Sequence, residues 1–285
     1  MWGFFAPFFK ILTDRGVPSM TLLAHRVVWT MLFCVVMLAI FGRLGDMRKL
    51  ARDRAMLRVL AFTSVMIAIN WVTFIYSIET HQLSQSALGY YINPLVSVLL
   101  GLIVLGERLN RVQWFCLLLA STGVTLIVIA RGQLPWIGLT VAVSFGLYGL
   151  MRKMRPVNPL TGLAVETAVL TPLAIVYASW VAVTSPTHFS VGTYGLLVTA
   201  GVLTAIPLLL FARAARTLKL STMGFLQYIA PTVQLSIAVY GGETFKPGEL
   251  AGFIPIWAAL LIFSTYTALK VRQASKQTVA SLSAT

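Results

Sequence analysis

Apolar runs of roughly 20 residues follow one another along almost the whole chain, separated by short polar stretches. They fall at about 1–12, 19–41, 59–78, 84–105, 112–130, 135–151, 159–183, 192–212, 220–240 and 250–269. A bilayer core of about 30 Å needs about 20 apolar residues to cross it as a helix. In lipid only helices and closed barrels satisfy their own backbone, and the run lengths choose helices. The pattern predicts an all-α integral membrane protein of ten spans. The first run is short, and about 11 helical residues reach only about 17 Å. Either a preceding segment completes it or it is a half-helix. There is no basic leader followed by a cleavage site, so it does not read as a signal peptide.

The pattern repeats. "LSQSALGYYINP" (Leu83 to Pro94) aligns with "LSTMGFLQYIAP" (Leu220 to Pro231), matching at Tyr91/Tyr228, Ile92/Ile229 and Pro94/Pro231 among others. Upstream, Ile69 and Phe74 meet Ile206 and Phe211; downstream, Gly106-Glu107 meets Gly242-Glu243. Chance matching in a leucine-rich chain is the competing account, and the shared prolines and order of features weigh against it. A spacing of nearly half the chain puts five spans in each copy, so the second copy is inverted relative to the first. Residues 1–131 form one five-helix repeat, 132–270 the other, and 271–285 a disordered cytoplasmic tail, the whole being one membrane domain. Inverted repeats of this kind build many transporters, with sites near the midplane where helices are interrupted. Pro94 and Pro231 each remove a helical hydrogen bond in mid-span, freeing the carbonyls of Tyr90 and Gln227. Such carbonyls need a partner or a wet cavity. Two readings stand, a packing kink and a cavity, and the paired polar flanks point to the cavity.

Charge fixes orientation. Of 22 Lys and Arg, 17 fall on one side of the predicted spans, four on the other, and Arg26 lies within a span. The positive-inside rule then puts both termini in the cytoplasm. Charged residues make up only 11% of the chain and hydrophobic residues 58%, with a mean hydropathy of +0.85. The formal charge of +14 is thus read as loop cations facing lipid headgroups, not as a nucleic-acid surface. Cys34 and Cys116 lie inside spans with no metal-ligand spacing. His25, His81 and His188 fall in different segments, and no HExxH, GxSxG or GxxxxGK[ST] occurs, so an enzyme, a cofactor, a metal site or ATP-driven pumping has no motif behind it.

The stretches "NWVTFIYS", "SALGYYINPLVSVLLG", "GERLNRVQW", "SFGLYGLMRK", "ETAVLTPLAIVY" and "LSTMGFLQYIAPT", with "AHRVVW" and "WGFFAPFFK", resemble the RarD-type permeases of the EamA branch of the drug/metabolite transporter superfamily. The resemblance covers nearly the whole chain. It implies ten helices in two inverted five-helix repeats (the drug/metabolite transporter fold) in the bacterial inner membrane, with a longer first helix than the one here. Members carry chloramphenicol-sensitivity labels, and relatives in the superfamily export amino acids and other small metabolites.

Ionisable groups deep in a span are costly and mark functional sites. Arg26 and Glu166 occupy equivalent repeat positions in "LLAHR" and "GLAVE", each about 10 Å from its end of the membrane. They are expected to approach the midplane from opposite sides, either as an ion pair or as opposite charges flanking a cavity for a zwitterionic or polar molecule. Glu166 is the deep carboxylate available for proton coupling. Glu107 and Glu243 are expected to cap the next helix. Asn70, Trp71, Tyr90, Asn93, Pro94, Tyr148, Gln227, Tyr228 and Pro231 complete the candidate cavity, since aromatic faces with a few hydrogen-bonding groups suit an amphipathic small molecule. Gly138, Ala142 and Gly146, and Ala164, Ala168 and Pro172, read as close-packing surfaces. The chain is expected to be a secondary carrier for a small amphipathic metabolite or drug, working as an exporter that rocks one repeat against the other. A gradient-independent channel or facilitator for small polar solutes is the alternative. Its expected partners are the substrate and the bilayer, with monomer and homodimer both open.

Overall fold

The structure is a computed structural model describing residues 2, 5–80, 82–132, 134–155, 157–185, 189–240 and 247–283. It is all-helical over the elements found. The helices are α1 (Phe5–Asp14), α2 (Ser19–Ile40), α3 (Leu44–Arg52), α4 (Arg54–Glu79), α5 (Leu83–Ile103), α6 (Arg111–Arg131), α7 (Trp136–Met154), α8 (Pro159–Thr184), α9 (Val191–Thr217), α10 (Leu220–Gln227), α11 (Ile229–Tyr240) and α12 (Pro247–Ser283). Six stretches among the described residues are long and apolar enough to cross a membrane: Ser19–Ile40, Arg54–Ser77, Arg111–Arg131, Pro159–Thr184, Val191–Thr217 and Ala251–Lys270. The other expected spans coincide with α1, of 10 residues, with α5 and α7, and with the interrupted pair α10–α11. Large apolar side chains such as Leu118, Leu173, Val176 and Leu261 point outward. An aqueous surface would not favour that; acyl chains do.

Local chemistry sets the helix ends. Asn110 and Gln113 form a reciprocal capping box at the start of α6, and Gly132 closes that helix with φ 70°, a left-handed conformation glycine adopts at no steric cost. Asn158 caps α8 by accepting from the backbone N–H groups of Leu160 and Thr161 at 3.1 and 3.2 Å, with Pro159 at the first turn, where its missing N–H costs nothing.

Three expectations change. The basic segment after α2 was read as a loop; it contains α3, with Asp46 in the first turn and Lys49 and Arg52 in the last, the charge order that suits the helix dipole. The two prolines do not act alike. Pro94 sits inside a continuous α5, whereas the chain turns at Tyr228 between α10 and α11, three residues before Pro231. A proline disturbs the turn preceding it, and in α5 that turn stays helical. The tail was expected to be disordered from 271, yet α12 runs to Ser283. Its last turns hold Ala, Lys, Gln and Arg with no Pro or Gly, so an existing helix propagates through them at little cost. The paired Gly242-Glu243 lies outside the described residues, as do His81 and His188.

The buried core falls into two main blocks. One unites α2, α4, α8 and α9 through residues such as Val27, Ile67, Leu163 and Leu208. The other unites α5, α6, α10 and α12 through Ile92, Ala120, Phe225 and Ile256. The expected repeat boundary near 131 cuts through both blocks, since each takes two helices from either side of it. Close approach is achieved with glycine, as the small-residue spacing implied. A Cβ on Gly138 would lie 2.7 Å from the Gln85 carbonyl oxygen and 2.9 Å from the Gly89 nitrogen, so α5 and α7 touch backbone to backbone there. Gly146 meets Val96 in the same seam.

Glu107 caps a helix, but not the next one in sequence. Its Oε1 accepts from the Leu220 N–H at 2.7 Å, and its Oε2 accepts from the Ser221 N–H at 3.0 Å and the Ser221 hydroxyl at 2.6 Å. The loop after α5 is thereby fastened to the N-terminus of α10, where orphan N–H groups and the helix dipole both favour a carboxylate. Replacing Glu107 with Ala is expected to destabilise the protein by about 1–3 kcal/mol, read as a lower melting midpoint in detergent. An unchanged midpoint would show that the clamp carries no stability.

Candidate functional site

Between the two blocks lies a cavity of about 80 Å³ that opens to a mouth, about 850 Å³ when the open space is counted. It sits around the middle of its helices: Asn93 is halfway along α5 and Thr204 halfway along α9. The first half of the chain supplies Arg26, Asn70, Trp71, Tyr90 and Asn93; the second supplies Thr204, Gln227 and Pro231. The seven candidates Arg26, Asn70, Trp71, Tyr90, Asn93, Gln227 and Pro231 therefore share one cavity.

The polar wall is held by hydrogen bonds that cross between halves. Asn93 Nδ2 donates to Gln227 Oε1, linking the two segments that the sequence aligns. Gln227 Nε2 reaches Ser97 Oγ at 3.4 Å. The Tyr91 hydroxyl donates to the Pro231 carbonyl at 3.0 Å. Asn70 Nδ2 donates to the Val141 carbonyl at 2.8 Å, tying α4 to α7. In hydrocarbon these groups have no water to fall back on, and each unpaired one costs several kcal/mol.

Arg26 is 3% exposed. Its Nε donates to Thr204 Oγ1 at 3.1 Å, while the Thr204 hydroxyl donates to the Ala200 carbonyl at 2.8 Å. Its guanidinium carbon lies 4.6 Å from the Phe9 ring centre and 4.9 Å from that of Trp71, within cation–π range. No Asp or Glu among the described residues lines the cavity.

Four candidates lie elsewhere. Pro94 packs its carbonyl against Gly224. Tyr228 is buried in the α5/α6/α12 block, its hydroxyl without a hydrogen-bond partner among the described residues. Tyr148 and Glu166 belong to a separate buried network. Glu166 Oε1 accepts from the Thr63 hydroxyl at 2.6 Å, its Oε2 accepts from the Tyr148 hydroxyl at 3.3 Å, and Arg152 Nη1 lies 3.5 Å from Oε1. Glu166 therefore faces Arg152 and not Arg26, which corrects the expected pairing. At the end of a span, Arg152 has the position of a loop cation facing headgroups. Instead α7 extends to Met154 and turns this arginine inward over Gly162, whose missing side chain makes room: a Cβ there would lie 2.2 Å from Arg152 Nη1. With its charge neutralised in place, Glu166 joins α4, α7 and α8.

The sequence reading missed much of the aromatic wall, made by Trp2, Phe5, Phe9, Phe74 and Phe145. Phe5 and Phe9 are one helical turn apart and pack ring to ring at 5.4 Å. That i, i+4 spacing was visible in a run judged only for its length. Thr204 was missed as well, its signal being a hydroxyl one turn before the mid-span Pro207.

A helical membrane protein with a cavity between packed blocks at mid-depth fits the class of solute transporters, and comparison with known proteins agrees. The model of the EamA-like transporter family matches residues 1–129. Protein RarD of Escherichia coli is 39% identical over 97% of this chain and 94% of its own. An uncharacterized transporter of Vibrio cholerae is 40% identical over 93% and 88%, and the uncharacterized transporter YojE of Bacillus subtilis 40% identical over 97% and 93%. A solved crystal structure shares the fold with a TM-score of 0.67 at 16% identity, covering 95% of this chain and 94% of the other. The chain belongs to the RarD-type branch of the EamA-like transporters.

Removing one member of a buried ion pair strands the other, at a cost of about 3–5 kcal/mol. Glu166→Gln and Arg152→Gln are each expected to lower the melting midpoint sharply, and the double variant to recover much of the loss. Additive effects in that cycle would show that the two side chains do not act as a pair.

Proposed function

We propose that this protein is a secondary carrier that exports a small amphipathic molecule across the bacterial inner membrane by alternating access, with both termini cytoplasmic. The observation that carries this reading is the mid-depth cavity whose polar wall is closed by the Asn93–Gln227 contact between the two halves. Ten spans in two inverted five-helix copies, 1–131 and 132–270, account for that contact. The packing supports the duplication: α2 lies along α8, α5 along α10, and α6 along α12, each pair being the same helix of the two copies. The family match ending at residue 129 also falls beside the repeat boundary.

The buried blocks modify the expected motion. Rocking one repeat against the other would tear both cores, whereas moving the α2/α4/α8/α9 block against the α5/α6/α10/α12 block spares them apart from α7, which gives Tyr148 to the first and Ala142 to the second. The cavity lies along that division. In the proposed orientation the Glu107 clamp on α10 and the Lys153 ammonium donating to the Leu218 carbonyl lie toward the cytoplasmic side, and the proposed export requires these contacts to open.

The reading is tested by reconstitution into liposomes loaded with a metabolite mixture under an imposed gradient, followed by counterflow of whichever compound moves. A carrier accelerates labelled uptake when unlabelled compound waits on the far side; flux indifferent to it would indicate a channel and contradict the proposal. Asn93→Ala and Gln227→Ala are expected to lower counterflow at least tenfold with normal insertion.

A further inference from the structure

We infer that the cavity takes an anion, a small monocarboxylate with a planar apolar body, and rejects compounds bearing an ammonium group. The inference names the cargo of the site just described and rests on the carrier reading for that site's role.

The charge balance of the cavity carries it. Arg26 is the one ionisable cation among its described lining residues, and no carboxylate lines it. The other deep acid, Glu166, is held by Arg152, Thr63 and Tyr148 in its own network. An arginine kept in mid-membrane without a counter-ion is costly. Here Nε is fixed by Thr204 and the guanidinium lies against Phe9 and Trp71. Its two Nη groups donate to no acceptor among the described residues. Two parallel N–H donors on a guanidinium edge match the two oxygens of a carboxylate. Bound there, a carboxylate would supply the missing counter-ion.

The rest of the wall selects the body. Phe5, Phe74, Tyr90 and Phe145 present ring surfaces, and Phe74 and Tyr90 meet at 6.1 Å edge to face, so a planar apolar group finds faces and edges to pack on. A doubly charged phosphate would have one cation and mostly apolar walls, too few donors for its oxygens. An amino acid's ammonium would lose its water with no acid to receive it, beside a fixed positive charge. The zwitterionic substrate expected from an Arg26–Glu166 pair is therefore disfavoured, because Glu166 is not at the site.

The test uses four compounds of one shape on purified full-length protein: 3-phenylpropionate, 3-phenylpropanamide, 3-phenylpropylamine and phenylalanine, each competing with radiolabelled 3-phenylpropionate and each assayed for direct binding. The carboxylate is expected to bind at least tenfold tighter than the other three. Arg26→Gln is expected to abolish that preference and Arg26→Lys to keep part of it. Should the arginine variants fail to fold, the wild-type series decides alone. Equal or tighter binding of the amine or phenylalanine overturns the inference, as does unaltered carboxylate binding by Arg26→Gln, or no binding by any of the four. Counterflow in liposomes separates this inference from the carrier reading. A carboxylate that binds through Arg26 but shows no counterflow removes the carrier and leaves the anion site. Counterflow of an ammonium compound does the reverse.

Discussion

Hydrocarbon offers no hydrogen bonds, and this fold depends on how that constraint is met where α5 crosses α10. At that crossing a side-chain amide from each segment pairs with the other, Asn93 to Gln227, and the Tyr91 hydroxyl takes the Pro231 carbonyl. Gly224 lets the backbones close to contact at Pro94. The chain is interrupted there between α10 and α11 while α5 stays continuous, and the polarity is tolerable because the partner segment answers it. The same joint forms one wall of the cavity, so the contact that holds the two halves of the chain together also faces the cavity. In the proposed carrier, opening the cavity to the other side must leave this joint paired or replace its partners.

Deep charge is distributed just as economically. Glu166 and Arg152 neutralise each other within the packing of α4, α7 and α8. Glu107 is spent on the N-terminus of α10. Arg26 alone is directed at the cavity, backed by aromatic faces. Among the described residues the structural acids are thus paired inside the protein, and Arg26 is the cation left facing the cavity, where the proposed anion would complete the set.

Much of this was legible from residues, and the gaps have physical causes. The joint could be read because duplicated prolines with polar flanks are rare enough to align by eye. Seven of the candidates meet in one cavity because mid-span depth is a linear property that residue counting recovers. Rotation about a helix axis is not. Depth put Arg26 and Glu166 at matching levels, but a turn of helix separates facing the cavity from facing Thr63 and Arg152. Arg152 was misplaced because cations at a span end look alike whether they point to headgroups or fold back over a glycine. Glu107 was recognised as a cap, yet its partner lies 113 residues away in sequence, beyond any local signal. Composition likewise misled at the C-terminus, where a polar stretch continues as helix because α12 is already formed.

The central claim is that α5 and α10 begin on opposite faces of the membrane. Gln82 and Lys219 are the residues flanking their N-termini and are equivalent in the proposed duplication. In a variant with Cys34 and Cys116 replaced, single cysteines at these two positions can be treated in intact cells and in inside-out vesicles with a membrane-impermeant maleimide. Cysteine at 82 should label only from outside and cysteine at 219 only from the cytoplasmic side. Labelling of both from the same side would contradict the inverted duplication and the cavity reading built on it.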